Sequence, residues 1–392
     1  MFRVPVDVAI GRLMELARLT FVKRRGNAAD SFPACTPRRT TAGATAVRAA
    51  LVATASIAAS ACAAASQSMP PEPPALPAED VDELTLRKLI RDRVTGMLQA
   101  RDFAGLDRLA AENTEGRLRS PSGTSNAYWY YSALYDYLKD GFDKPCSDRA
   151  REYAEDWLRR FPNSPPAIIA NASIYIKIGF CARGEGMADT VNPEAWPIFE
   201  SNIAKAVEIL EANKDAGSKD PEWYIVMQDL VKTQGWSDQR IKALHAEAVS
   251  RFSWDEDIYI AASQGHLPKW GGSIEEFDRF ARQAAEASRE TGGGSMYARI
   301  YWNAQNDFYG DLRNSNVDMD RLRASFRDFA ARHPTSWNYQ SIAYILCRND
   351  PSPEAKIYLN RLMGGPDHAP PMTESTAEAC KKMERYLART DR

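Results

Sequence analysis

From about residue 80 the apolar positions fall at intervals of three and four. Leu84, Leu86, Leu89, Ile90, Val94, Met97 and Leu98 open the pattern, and it recurs toward the C-terminus. That is the period of one helix face. No alternating run of the kind a half-buried strand needs interrupts it; Val and Ile are scattered inside helical windows. The expectation is an all-α chain of about fifteen helices between residues 79 and 389. They are joined by the short connectors that antiparallel neighbours require.

Helix starts repeat one device, a capping residue followed by proline, which is pre-set for the first turn. It stands at Ser164-Pro165, Asn192-Pro193, Asp220-Pro221 and Ser352-Pro353. Pro197 follows so closely on Pro193 that this helix is expected to start late. Capping boxes are expected at Ser253 to Glu256 and at Ser273 to Glu276. The stretch LPKWGG (267–272) then reads as punctuation: Pro268 stops one helix, Gly271-Gly272 turn the chain, and Ser273 starts the next. Trp270 is left over, either to plug a gap between helices or to present a flat face to a ligand.

A loose repeat runs through the pattern. YAEDWLRRFPNSPPAIIA (153–170) and FRDFAARHPTSWNYQSIA (326–343) share a helix, an aromatic-proline turn and a second helix. Residues 203–226 and 244–261 follow it less faithfully. The grammar is that of tetratricopeptide-type packing without its full motif. Stacked antiparallel helix pairs, forming an α-solenoid or superhelix, are the predicted architecture for residues 81–392.

Composition changes the picture only at the N-terminus. The chain of 392 residues is 44% hydrophobic and 26% charged, an ordinary globular balance. Charge is uneven. Residues 1–48 hold nine basic against three acidic residues, a net of +6; the other 41 basic and 49 acidic residues leave the rest at −8. A mildly acidic folded part argues against nucleic-acid binding, which needs a basic face.

The basic head precedes AALVATASIAASACAAAS (49–66), an apolar run of small residues that fits a secretory segment and is short for a membrane span. Ala59-Ser60-Ala61-Cys62 is an imperfect lipoprotein box that would lipidate Cys62; cleavage near Ala61 to Ala65 is the rival reading. The long head fits either a start at Val47 or an Arg-rich transit peptide. QSMPPEPPALPAED (67–80) has five prolines and reads as an extended tether. Three segments follow: an export segment (1–66), a linker (67–80) and the helical-repeat-like domain. The expected location is outside the cytoplasm, in a bacterial periplasm or anchored to the outer membrane. Contact with membrane is expected only through the lipid.

Beyond Cys62 stand Cys146, Cys181, Cys347 and Cys380, an even number that an exported protein can pair. Cys146 and Cys181 lie about equally far from a turn near Asn163, so an antiparallel pair brings them to one end. Closing that loop would contribute roughly 4 kcal/mol. Cys347 with Cys380 is the remaining pairing. Free buried thiols are the alternative.

Candidate chemistry is sparse. His245, His266, His333 and His368 show no metal-type spacing, and neither a metal nor a cofactor is expected. Thr291 to Ser295 lacks phosphate-loop spacing and reads as a helix stop with Ser295 capping the next helix. Asp255/Asp257 and Glu275/Glu276 lie at helix N-termini, where acidic residues are favoured anyway. Asn171-Ala-Ser173 fits a glycosylation pattern inside an apolar helix. No catalytic set stands out. Aromatics are denser: YWYYSALYDYL (128–138) and YARIYWNAQNDFY (297–309) read either as core or as anchors on a concave face. Trp270, Tyr297, Arg299, Tyr301 and Trp302 are the expected groove, with Arg183 and Glu185 as a second, loop-borne candidate.

RGEGMADTV (183–191), DPEWYIVM (220–227), LPKWGGSIEEF (267–277), YARIYW (297–302) and HPTSWNYQSIAYILCRND (333–350) resemble, in matching order, a bacterial family catalogued as domain of unknown function 4034. The resemblance spans roughly residues 100–360. It implies a helical domain without an assigned activity, and it makes Trp270, Gly271, Gly272 and YARIYW positions of interest. The functional expectation is an envelope-facing module for an unidentified protein or peptide. An enzyme of unrecognised type with an acidic and arginine-lined cleft, or a purely structural envelope component, is the alternative.

Overall fold

The computed structural model describes residues 82–142, 146–184, 190–232, 234–350, 354–355, 357–359, 378 and 380–381. The export segment, Cys62, the tether, Ser352-Pro353 and His368 lie outside them. Fifteen α-helices run between Glu83 and Asn349, and no strand is present among the described residues; an isolated bridge joins Arg119 and Ser125. The all-α expectation holds.

The helices are α1 (Glu83–Ala100), α2 (Phe103–Glu115), α3 (Asn126–Asp140), α4 (Asp148–Arg160) and α5 (Pro165–Arg183), then α6 (Ala195–Ala212), α7 (Lys214–Gly217), α8 (Pro221–Val231), α9 (Asp238–Phe252) and α10 (Glu256–Gln264). The last five are α11 (Ile274–Ala287), α12 (Arg289–Gly292), α13 (Met296–Ala304), α14 (Met319–Arg332) and α15 (Ser336–Asn349). Their apolar stripes explain their packing. Along α1, Leu86, Ile90, Val94 and Met97 are buried, the face its periodicity marks out.

Two rows result. Helix α1 packs on α3, α3 on α5 and α8 on α10, each passing over the helix between them in sequence, and α10 packs on α13, passing over α11 and α12. The helices passed over lie against their chain neighbours. The inner helices are enclosed on more than one side: α8 buries nearly its whole length. Outer helices α4 and α11 bury one stripe each.

The buried residues form two cores. The first runs from Leu86 to Ala261 and the second from Tyr259 to Cys380. Helix α10 is the shared wall: Ile258 and Ala261 point into the first core, Tyr259 and Ile260 into the second.

The two copies of the repeat grammar end their first helix alike. Phe161 has φ −132° and ψ 67°, and His333 φ −131° and ψ 71°. Each precedes proline, which bars helical geometry at that position. Ser164 then accepts the Ala167 N–H and Thr335 the Asn338 N–H to start the second helix. Asp220 and Ser273 cap α8 and α11 as expected.

Three expected caps differ. The helix after Asn192-Pro193 starts at Ala195 without a side-chain cap; Asn192 Oδ1 accepts the Glu194 N–H. Asp255, not Ser253, caps α10, because the Glu256 carboxylate is engaged elsewhere and cannot fold back. Ser295 donates its hydroxyl to the Gly292 carbonyl instead of capping α13.

The LPKWGG stretch is a turn, as its sequence implies. Pro268–Trp270 form one short 3₁₀ turn, Gly271 takes φ +90°, and a Cβ on Gly272 would lie 2.2 Å from the His266 carbonyl oxygen. Only glycine fits there. Cys146 with Cys181 and Cys347 with Cys380 are joined, with Cα–Cα separations of 6.4 and 4.7 Å.

Candidate functional site

The chain closes on itself at the segment Gly116 to Ser125. Leu118 C=O accepts the Asn126 N–H and Thr124 C=O the Ser120 N–H, so 118–126 forms a small hairpin with Gly123 at its tip, φ +84°. Helices α1 and α15, far apart in sequence, grip it. From α1, Glu83 accepts the Ser120 hydroxyl at 3.1 Å and the Ser122 N–H at 2.8 Å. From α15, Asn338 donates to the Ser122 carbonyl at 3.1 Å. The His333 ring lies over Gly123 so closely that a Cβ there would come within 2.5 Å of it. The Arg87 guanidinium lies between the rings of Trp129 (4.0 Å) and Trp337 (4.1 Å). Cation–π contact thus ties α1 to α15.

At the centre of this clasp one carboxylate serves two guanidinia. Glu256 accepts from Arg119 at 2.5 Å and from Arg299 at 2.8 Å, and its own exposure is 4%. Arg119 also donates to the Gly123 and Trp254 carbonyls. Burial works to raise the Glu256 carboxyl; the two guanidinia, Arg299 foremost, outweigh it and hold it below the ordinary range. Beside them His333 is pushed down to about 4 by burial and then by Arg299 and Arg119. A charge this well surrounded has all its lone pairs engaged by the protein. The clasp is therefore a structural centre.

The expected groove divides. Tyr297 and Tyr301 are buried, and both hydroxyls donate to Asp278, at 2.6 and 2.9 Å. Arg299 belongs to the clasp. Trp302 is half-buried against Phe326 and Phe329, and Trp270 is half-buried against the second core. Residues 297 and 301 share one face of α13, so the five expected groove residues are not brought to one surface. The core reading of the aromatic run wins because α13 is an inner helix, enclosed by α10, α11 and α14. Arg183 is buried at the end of α5, donating to the Gly184 carbonyl with its guanidinium 5.3 Å from the Trp196 ring; Glu185 lies outside the described residues.

The remaining titratable groups are mostly committed. His245 Nδ1 shares a hydrogen with Gln228 Oε1 at 2.9 Å and is pushed down to about 4, by burial first and by His266 second. Asp220, pushed up to about 6 by burial, accepts the Tyr131 hydroxyl and caps α8. An acid–base role would have to release it from both duties. No group of His, Cys, Asp or Glu arranged to hold a metal occurs among the described residues.

One cluster is different. Helices α1, α3 and α5 carry the exposed Arg91 and the half-buried Asp136 and Lys177; Arg91, Lys177 and Lys139 pull the Asp136 carboxyl down and Asp140 pushes it up. Among the described residues none of the three stands in an ion pair, whereas Lys214–Glu247 (2.7 Å), Arg101–Asp156 (3.0 Å) and Arg323–Asp350 (2.8 Å) do. Burial raises Asp136, and burial lowers Lys177 to about 8 against the pull of Asp136. One turn before each lies a serine, Ser132 and Ser173, exposed by 3% and 1%. Both hydroxyls lack a hydrogen-bond partner. The Lys177 ammonium is 5.9 Å from the Tyr135 ring, whose hydroxyl donates to Glu222 at 2.8 Å. The sequence holds a trace of this: Lys177 is the one charge between Pro165 and Phe180.

The chain matches no protein-family model, no curated protein and no solved structure.

Proposed function

We propose that this is an exported, envelope-facing helical protein that binds a peptide or protein segment along the inner wall of α1, α3 and α5. The observation that carries the reading is the set of unpaired charges on that wall. Asp136 and Lys177 are half-buried and Arg91 is exposed; an unpaired charge at a half-buried position costs stability that a ligand completing it would offset. Export is supported by the two cysteine bridges, which persist in oxidising compartments, and by the basic head, small-residue run and proline tether. Membership of the helical family that the sequence resembles is part of the same proposal.

Two measurements test it. Intact mass of the native protein is expected to show a mature start within residues 59–66, a lipid on Cys62 or its absence, and the loss of two hydrogens per bridge. A chain retaining residues 1–48 with reduced cysteines would reject export. Crosslinking in envelope extract is expected to capture a partner with wild type and with Trp270→Ala and Trp302→Ala, and to lose it with Arg91→Leu/Lys177→Met. Loss with the tryptophan variants alone would return the site to the second core.

A further inference from the structure

The two cysteine bridges are built alike. Cys181 stands in the last turn of α5 and Cys347 in the last turn of α15. In each bridge the second sulfur lies against the carbonyl oxygen one turn before the helix cysteine. Cys146 Sγ is 3.3 Å from the Lys177 oxygen, and Cys380 Sγ is 3.8 Å from the Ala343 oxygen. Helix position and the neighbouring carbonyl therefore do not distinguish them, but burial does. Cys347 and Cys380 lie in the second core, exposed by 6% and 4%. Cys181 is exposed and Cys146 half-buried. Cys146 also holds a left-handed backbone, φ +55°, a conformation that costs a residue with a side chain free energy.

A disulfide is opened by a thiolate that reaches one of its sulfurs, so access governs the rate. A buried bridge waits for local opening of the fold, and an exposed one does not. We propose that Cys146–Cys181 is a thiol–disulfide exchange site in the folded protein, with a dithiol reductant as its co-reactant, and that Cys347–Cys380 is a permanent staple. One thiolate of the dithiol attacks Cys181 Sγ and forms a mixed disulfide. The bond between the two protein sulfurs breaks, and its electron pair leaves on Cys146, which takes up a proton. The second thiolate of the dithiol attacks the reductant's own sulfur in the mixed disulfide. Cys181 then leaves as a thiolate and is protonated. Two electrons and two protons pass from the dithiol to the bridge, and the reductant departs as a disulfide. Cys146 is then free to leave the left-handed region, and the connector before α4 parts from the last turn of α5. The second core keeps its bridge.

The test holds the oxidised protein folded in dithiothreitol at about pH 8, where the reagent's thiolate is populated. Aliquots are quenched with iodoacetamide, and peptide masses report which cysteines are alkylated. Cys146 and Cys181 are expected to react about a hundredfold faster than Cys347 and Cys380, which wait for opening. The two rates are expected to converge in guanidinium chloride. With glutathione in place of dithiothreitol, the mixed disulfide is expected on Cys181. Equal rates for both bridges in the folded protein would overturn the proposal, as would a Cys146–Cys181 bridge that opens only as helical circular dichroism is lost. Glutathione on Cys146 instead of Cys181 would overturn the assignment of the attacked sulfur.

Discussion

The clasp and the inner wall use the same kinds of side chain and treat them in opposite ways. In the clasp, Glu256 is nearly inaccessible and is met by Arg119, Arg299 and the Ser125 N–H. On the wall, Asp136 feels Arg91 and Lys177 and pairs with neither. Burying a charge is tolerable when geometry satisfies it and costly when it does not. The first arrangement therefore locks the fold together, and the second is a cost that only a further function repays. The difference can be read as energy: charges in the clasp should be expensive to remove, and charges on the wall should not.

The largest expected effect is at Glu256. Glu256→Gln leaves two guanidinia facing each other around a neutral amide, and breaking a buried ion pair in this way costs about 3–5 kcal/mol. The denaturation midpoint is expected to drop sharply, and the contact between the 118–126 hairpin and α15 to loosen, read as faster amide exchange at Ser122 and Gly123. A variant within about 1 kcal/mol of wild type would mean the clasp is ornamental to the fold, since surface pairs are worth no more than that.

The next effect concerns the end of the wall. The Cys146–Cys181 bridge closes a span of 35 residues between the connector before α4 and the end of α5. Replacing both cysteines by serine is expected to cost roughly 4 kcal/mol by loop entropy. The comparison sharpens if this variant melts earlier yet still captures the crosslinked partner, because Lys177 lies one turn inside the bridge.

The helices and their partners were legible in the sequence to different degrees. Three-and-four spacing, Ser164-Pro165, Asp220-Pro221 and the glycines at 271–272 act within a few residues, so local reading recovers them. The Cys146–Cys181 pairing was legible because one turn relates the two helices. The clasp was not: Arg119, Glu256 and Arg299 are 137 and 43 residues apart, and nothing local says that residue 338 will touch residue 122. Tyr297 and Tyr301 were misplaced for the same reason. An aromatic stripe at helical spacing looks the same whether an enclosing helix covers it or not, and α13 is covered. The wall escaped notice because Arg91, Asp136 and Lys177 are ordinary residues until three helices align them.

Acid should loosen the clasp. His333 and His245 are each pushed down to about 4, by burial first, below the ordinary value of about 6.5. The folded state then binds fewer protons than the unfolded state between those limits. Stability is present above pH 6.5 and is lost as pH falls toward 4. For His245 the loss is on the order of 3 kcal/mol; for His333, which solvent partly screens, it is nearer 1 kcal/mol. Asp220, pushed up to about 6, works in the opposite sense: its contribution is present below its unfolded value and lost as pH rises through 6. Single variants therefore give the cleaner reading. His333→Gln should flatten the stability profile between pH 4 and 6.5, with the change concentrated in exchange at Gly123. An unchanged profile would mean that neither burial nor the two guanidinia depress His333.

The smallest effect is the one that separates the two regions most cleanly. Lys177→Met removes an ammonium that burial already disfavours, leaves no paired carboxylate behind, and keeps the aliphatic length that lies near the Tyr135 ring. Asp136 loses one of the three cations that act on it and rises further, which at neutral pH costs little for a group that solvent still reaches. The balance should lie within about 0.5 kcal/mol of wild type, the range of substitutions that break no native partnership, and an increase in stability would be natural. The same variant should lose the crosslinked partner. Stability unaltered with binding lost is the signature of a group held for a ligand. A loss of several kcal/mol would show instead that Lys177 and Asp136 support the fold as Glu256 does, and the contrast between clasp and wall would collapse into a single kind of buried charge.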